Sequence, residues 1–269
     1  MHSTALQTPS SLPAAAPSGH LVVMTACIDP SSGPTRIARM DPVLRLQDYL
    51  AALRWWLQIN DPNLPALLLI ENSGFPLDVF HEQVARANPH RKQFEAISLR
   101  ANDYPPELDY GYAELKMLDV ALPCSQLASR HRFWIKATGR LTFPGISRLI
   151  RELPSEYLFA VDSRTALPLF RQPKQLWTHT RLMLLSGDFW RRHLFDVKRL
   201  MRAGECIELM LYRVFAAFDG QPGAIRRWPI HVPARGVSGQ SGRRYDTTSR
   251  RLVDAMRSIS RVVAPNWWI

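Results

Sequence analysis

The sequence predicts one α/β domain built on a mainly parallel central sheet flanked by helices. From about Leu21 onward, short apolar runs alternate with amphipathic helical stretches. The runs are apolar throughout, as strands covered on both faces are. Several of them stop abruptly in polar clusters, as strands do at the carboxyl edge of a nucleotide-binding sheet.

Leu21 to Ile28, LVVMTACI, reads as the first strand, stopped by Asp29-Pro30 and a Ser-Ser-Gly-Pro loop. Asp41 followed by Pro42 is an N-cap with proline at the first helical position, and Leu46, Tyr49, Leu50, Leu53 and Leu57 then recur at helical spacing. Ala66 to Ile70 is the second strand, ending at Glu71-Asn72-Ser73-Gly74, and a helix from about Leu77 to Ala87 follows. Phe94 to Leu99 is a third strand, and Asn102 to Tyr110 is a polar loop containing prolines. Gly111-Tyr112 leads into a helix that Pro123 breaks.

Phe133 to Leu141, FWIKATGRL, is the fourth strand, with an unusual cationic end. Tyr157 to Val161, followed by Asp162-Ser163-Arg164, is the fifth, and Gln175 to Leu185 is a further strand. Helices are expected around Phe189 to Met201 and from Glu205 to Phe215. A Pro/Gly/Arg-rich stretch then runs to Gly242, before a last helix from about Thr248 to Val263 capped by Thr247 or Thr248. Residues 1–20, rich in Ser, Pro and Ala, read as a disordered leader, leaving 21–269 as the domain.

Hydrophobic residues make up 46% and charged residues 21%, a globular balance that excludes a disordered chain. No window approaches the roughly 18 apolar residues that span a bilayer, and the N-terminus lacks a basic region followed by an apolar one, so a cytoplasmic protein is expected. Cys27, Cys124 and Cys206 are odd in number and widely spaced, which suggests free buried thiols rather than disulfides or a zinc site. The histidines show no metal-ligand spacing. There is no GxGxxG, no GxxxxGK[ST] and no GxSxG, so dehydrogenase, P-loop and serine-hydrolase readings lose their support.

Net charge is +11, and it is concentrated. From Arg226 to Ile269, nine arginines against Asp246 and Asp254 leave +7 of that total. An anionic partner is implied: a nucleotide pyrophosphate, an acidic glycan, anionic lipid or nucleic acid. Trp267-Trp268, after this basic helix, suits either a membrane surface or docking on the domain.

Four short segments in order, Glu71-Asn72-Ser73-Gly74, Gly111-Tyr112-Ala113-Glu114, Lys136-Ala137-Thr138-Gly139-Arg140 and Ser238-Gly239-Gln240-Ser241-Gly242, resemble those of bacterial glycosyltransferase-like proteins of surface polysaccharide synthesis. These are related to the GT-A (Rossmann-related) nucleotide-sugar transferase fold. The resemblance covers roughly Leu21 to Asp246. It implies Thr25 and Glu71 near the base or ribose, with Asn72 and Ser73 beside them, and the helix opened by Gly111, with Glu114, facing the pyrophosphate and sugar. A helix N-terminus suits that place because it carries about half a positive charge.

Where such enzymes hold a metal with a DxD-type motif, this sequence has KATGR. Lys136 and Arg140 cannot ligate a cation but can neutralise phosphate, which favours catalysis without a metal or other cofactor. Asp162 is the alternative, as a carboxylate for a metal or as the base. The resemblance further implies an acid near a late helix start to take the acceptor proton, and Glu205 and Glu208 occupy that position, with Glu208 among apolar neighbours. Ser238, Gly239, Ser241 and Gly242, followed by Arg243, suit a backbone nest over phosphate oxygens, with Thr138 and Gly139 lining the donor site opposite.

The resulting expectation is a glycosyltransferase that moves a sugar from a nucleotide-sugar donor to a surface glycan: lipopolysaccharide, capsule or exopolysaccharide. Its acceptor is a glycan or lipid-linked glycan, and the basic C-terminus would give peripheral contact with the inner membrane face. The alternatives are a basic nucleic-acid-binding protein, which has no RNP-like or zinc-finger motif to support it, and a GT-A-like binding subunit without catalysis.

Overall fold

The computed structural model describes residues 19–34, 37–165 and 176–264. Strands are β1 His20–Ala26, β2 Ala66–Glu71, β3 Gln93–Ser98, β4 Phe133–Thr138, β5 Phe159–Ala160, β6 Ser163–Thr165, β7 Leu176–Thr178, β8 Leu182–Ser186 and β9 Ala224–Ile225. Helices are α1 Pro42–Gln58, α2 Asp78–Ala87, α3 Gly111–Ala121, α4 Gln126–Arg130, α5 Ile146–Glu152, α6 Gly187–Phe189, α7 Ile207–Ala216 and α8 Thr248–Val263. Of the expected leader over residues 1–20, residues 1–18 lie outside the described residues, as does Trp267-Trp268, whereas His20 already belongs to β1.

The central sheet has seven strands in the order β3-β2-β1-β4-β8-β5-β9. All neighbours pair in parallel except β8, which runs antiparallel to both β4 and β5. The chain is thus a single α/β domain with a mainly parallel sheet flanked by helices. Alternation along each strand divides the core. Leu21, Val23 and Trp134 face α3, α4 and α7, whereas Val22, Met24 and Ile135 face α1, α2 and α5.

Asp41 caps α1 as its sequence predicts, its Oδ1 accepting from the backbone N–H of Val43 at 2.8 Å and Leu44 at 3.4 Å. Thr247 is the N-cap residue of α8, but its side chain makes no capping bond.

Three readings need correction. The run from Gln175 to Leu185 is not one strand: β7 leaves to pair with β6 in a two-stranded sheet, and the chain turns at Thr180 before β8 enters the main sheet. The stretch from Phe189 to Met201 is not one helix; a short α turn passes into a π turn and, after Asp196 at φ 59°, a 3-10 turn over Val197–Leu200. The three thiols are free, but they are not the buried thiols expected: Cys27 and Cys206 are part-buried and Cys124 is exposed. No described helix is long and apolar enough to cross a membrane.

Candidate functional site

Beyond the carboxyl ends of β1 and β4 a cleft of about 420 Å³ opens between the sheet edge, the N-termini of α3 and α7, the segment after β7 and the loop at Ser238. This is where ligands sit on open parallel sheets, because backbone groups and helix starts converge there. α3 gives the cleft Tyr110, Ala113, Glu114 and Met117, a single helical stripe.

Glu114 organises the floor. Its Oε1 accepts from the Thr25 hydroxyl at 2.7 Å and lies 2.6 Å from Nζ of Lys136. Lys136 points from β4 into the same layer and also donates to the Thr180 carbonyl at 2.6 Å. It is buried, and it does not line the cleft.

An acidic wall rises beside this floor. Asp109 accepts from Gly111 N–H at 2.9 Å and from the Ile207 N–H, so one carboxylate joins the starts of α3 and α7. The two helices meet closely, and a Cβ on Gly111 would lie 2.4 Å from Cβ of Ile207. Glu208, in the first turn of α7, faces the cleft within 3.5 Å of the Thr180 hydroxyl. Burial raises Glu208 above the usual carboxylate range, and the nearby Asp109 and Glu114 carboxylates raise it further. Burial, with Glu208 adding to it, likewise raises Tyr110.

The opposite wall is cationic. Arg140 donates from Nη1 to the Tyr49 hydroxyl at 3.2 Å and from Nε to the Val237 carbonyl at 3.2 Å. Tyr49 also receives Arg45 Nη2 at 3.3 Å and the Cys27 N–H at 3.1 Å, so its oxygen holds two guanidiniums in place. Gly239 lies flat against Arg140, where a Cβ would approach Cζ to 2.7 Å. The far end is closed by Trp177, His179, Arg181 and Tyr245, with Arg181 stacked 4.7 Å over the Tyr245 ring.

Of the residues singled out in the sequence, Thr25, Asn72, Glu114, Thr138, Arg140, Glu208, Ser238 and Gly239 meet in this cleft. Asn72 is buried in its wall, and its Oδ1 has no hydrogen-bond partner among the described residues.

The others lie elsewhere. Glu71 is fully buried and ties its own turn, accepting from the N–H groups of Ile28, Ser73 and Phe75, with Ser73 Oγ bonded to it as well. Neither Glu71 nor Ser73 lines the cleft. Gly111 is packed on Ile207, so α3 offers the cleft its side and not its tip. Gly139 is covered by the Thr25 carbonyl, which a Cβ would approach to 2.7 Å. The N–H groups of Ser241 and Gly242 close the turn onto Ser238, and Arg243 is exposed outside.

Asp162 is buried on the other side of His179, ion-paired to Arg261 and to Arg164. Glu205 binds Arg213 outside the cleft. Among the described residues no group of three His, Cys, Asp or Glu is gathered for a metal ion.

The sequence reading missed Tyr49, Asp109, Tyr110, Trp177, His179 and Arg181. The last three did carry a signal: WTHTR alternates, and period-two spacing puts Trp177, His179 and Arg181 on one side. Tyr49 sat among leucines of the α1 stripe and read as core.

No protein-family model matches the chain, and a search of the curated proteins returns no match. Solved structures do align with it. The inositol-1-phosphate CTP transferase from T. maritima is 11% identical over 92% of this chain and 98% of its own, with a TM-score of 0.45. The mannosyltransferase Ktr4p from S. cerevisiae in complex with GDP is 10% identical over 73% of this chain and 66% of its own, at 0.41. The WbbM bifunctional glycosyltransferase is 10% identical over 76% of this chain and 38% of its own, at 0.45.

Proposed function

We propose that the chain is a GT-A-like glycosyltransferase that moves a sugar from a nucleotide-sugar donor to a surface glycan. The observation that carries this reading is one cleft at the carboxyl edge of the sheet with Arg140 on one wall and Glu208 on the other. The donor diphosphate lies toward Arg140, whose fork suits phosphate oxygens, with Thr25, Asn72 and Thr138 beneath the nucleoside and Ser238-Gly239 over it. Glu208, raised in basicity, takes the proton of the acceptor hydroxyl. The hydroxyl oxygen bonds to the anomeric carbon, the bond from that carbon to phosphate breaks, and the nucleoside diphosphate leaves with its new charge against Arg140. Lys136 acts one step removed: it fixes the Glu114 carboxylate that holds Thr25. In this scheme Arg140 fills the role given elsewhere to a metal, and the reaction runs in EDTA.

The test is turnover of a nucleotide-sugar panel by the native chain, Arg140→Gln and Glu208→Gln. The reading requires hydrolysis or transfer of at least one donor, with loss in Glu208→Gln of about 100-fold or more. Equal rates in all three proteins would remove both residues from the mechanism.

A membrane-bound acceptor is favoured by α8, which is turned inside out. Its polar side, with Asp254 and Arg261, packs inward onto His231, Arg235 and Asp162, while Leu252, Met256, Ile259, Val262 and Val263 face solvent. An outward apolar stripe beside exposed Arg250 and Arg251, on a chain of charge +11, suits shallow insertion into an anionic bilayer.

A further inference from the structure

A second, smaller cavity of about 50 Å³ adjoins the cleft and shares His179, Arg181 and Tyr245 with it as a common wall. Arg164, Arg181, Arg250 and Arg257 line it, against two carboxylates, Asp162 and Asp254. Both carboxylates are already engaged. Asp162 is held by Arg261, with Arg164 Nη1 at 3.5 Å, and Asp254 by Arg235 at 2.7 Å and His231 at 2.8 Å.

The cavity's other cations outnumber the negative charge within reach: Asp162 and Asp254 act on Arg257 only from beyond ion-pair distance, and Asp162 meets Arg164 at 3.5 Å. Arg181, Arg250 and Arg257 form no salt bridge among the described residues, and Arg181 donates only to His179 Nδ1 at 2.8 Å. Arg164 is 7% exposed, yet among the described residues its Nε and Nη1 have no hydrogen-bond partner, Nη1 having only the longer ion pair with Asp162, and Nε of Arg257 has no partner either. A buried guanidinium without acceptors is costly unless something supplies them. Burial lowers both Arg164 and His179; Asp162 opposes the shift at Arg164, and the crowded arginines reinforce it at both. A small anion rich in acceptor oxygens would supply what these atoms lack among the described residues.

We propose that this cavity is a second anion site that takes a phosphate group carried by the acceptor while the nucleotide occupies the main cleft. Its identification with the acceptor rests on the transferase reading above; the phosphate chemistry does not. A tetrahedral phosphate offers several acceptor oxygens to Arg164, Arg250 and Arg257 at once, and a cavity of this size admits one such group and not a nucleotide. The shared wall at Arg181 would set that phosphate beside the donor.

The test is calorimetric titration of the full chain with inorganic phosphate and pyrophosphate, with and without saturating nucleotide. Saturable phosphate binding is expected, retained under nucleotide and in Arg140→Gln, and weakened about tenfold or more in Arg250→Gln/Arg257→Gln. Arg250→Gln alone, at an exposed position, serves as the variant that leaves the fold untouched and should show part of the loss.

Absence of saturable binding, unchanged affinity in the double variant, or complete displacement by nucleotide would overturn the proposal. If nucleotide itself does not bind, the donor reading fails while the phosphate result still stands or falls alone. Glucose 1-phosphate and dihexanoyl phosphatidic acid, titrated in parallel, separate a soluble phosphorylated acceptor from a lipid phosphate by which binds more tightly.

Discussion

Nζ of Lys136 lies 2.6 Å from Oε1 of Glu114, so a carboxylate that lines the cleft is held from below by a lysine that does not. The lysine is buried and the glutamate nearly so. Removing one partner therefore strands a charge in a place water hardly reaches.

Lys136→Met is expected to destabilise the protein by about 3–5 kcal/mol, the usual result of breaking a buried pair from one side. Lys136→Met/Glu114→Leu should recover much of that loss, because no charge is then left uncompensated. Denaturant unfolding of the two single variants and the double variant gives the coupling directly.

Glu208 makes a pH prediction. Its folded pKa is raised by burial and by Asp109 and Glu114, so the protein favours the protonated form. That contribution is complete below the unfolded pKa and is lost as pH rises through the folded one. Glu208→Gln should thus melt at a higher temperature than the native chain at pH 8, and the advantage should shrink as pH falls to about 4. A constant difference across pH would mean that Glu208 does not titrate as its surroundings require.

Two glycines separate packing from function. Gly111→Ala places a Cβ 2.4 Å from Cβ of Ile207 at the junction of α3 and α7, and should cost about 1–3 kcal/mol of stability. Gly239→Ala places its Cβ first against the end of the Arg140 side chain, at 2.7 Å from Cζ, so stability should change little while nucleotide binding weakens. Thermal melts and nucleotide titrations of both variants check this.

Much of the fold was legible. Apolar runs marked β1, β2 and β4, and Asp41-Pro42 marked the start of α1, because burial on two faces and capping leave local signs. The antiparallel entry of β8 was not legible, since a buried apolar run carries no information on direction. The cleft was half visible. Polar strand ends announced Thr25, Asn72, Thr138 and Arg140, but whether such a residue faces a ligand or its own turn depends on partners far along the chain. Glu71 and Asn72 are adjacent, and one is consumed by its own loop while the other faces the cleft. Lys136, expected against phosphate, is buried below the cleft for the same reason, its partner Glu114 being supplied from α3.

The outward stripe of α8 predicts binding to vesicles. Flotation with vesicles containing anionic lipid should carry the native chain up, vesicles of neutral lipid should carry little, and Leu252→Ser/Ile259→Ser should stay down. Concentration-dependent dimerisation that the same double variant abolishes, without flotation, would assign the stripe to a second copy of the chain instead.

The central claim is a nucleotide diphosphate seated against Arg140. It is tested most directly by thermal shift of the native chain and Arg140→Gln with UDP, GDP and CMP at millimolar concentration, with and without manganese. At about 100 times Kd a ligand stabilises by ~2.7 kcal/mol, so at least one nucleotide should raise the native melting temperature, without needing manganese, and should do so much less in Arg140→Gln. No shift with any of the three nucleotides, or the same shift in both proteins, would contradict the account.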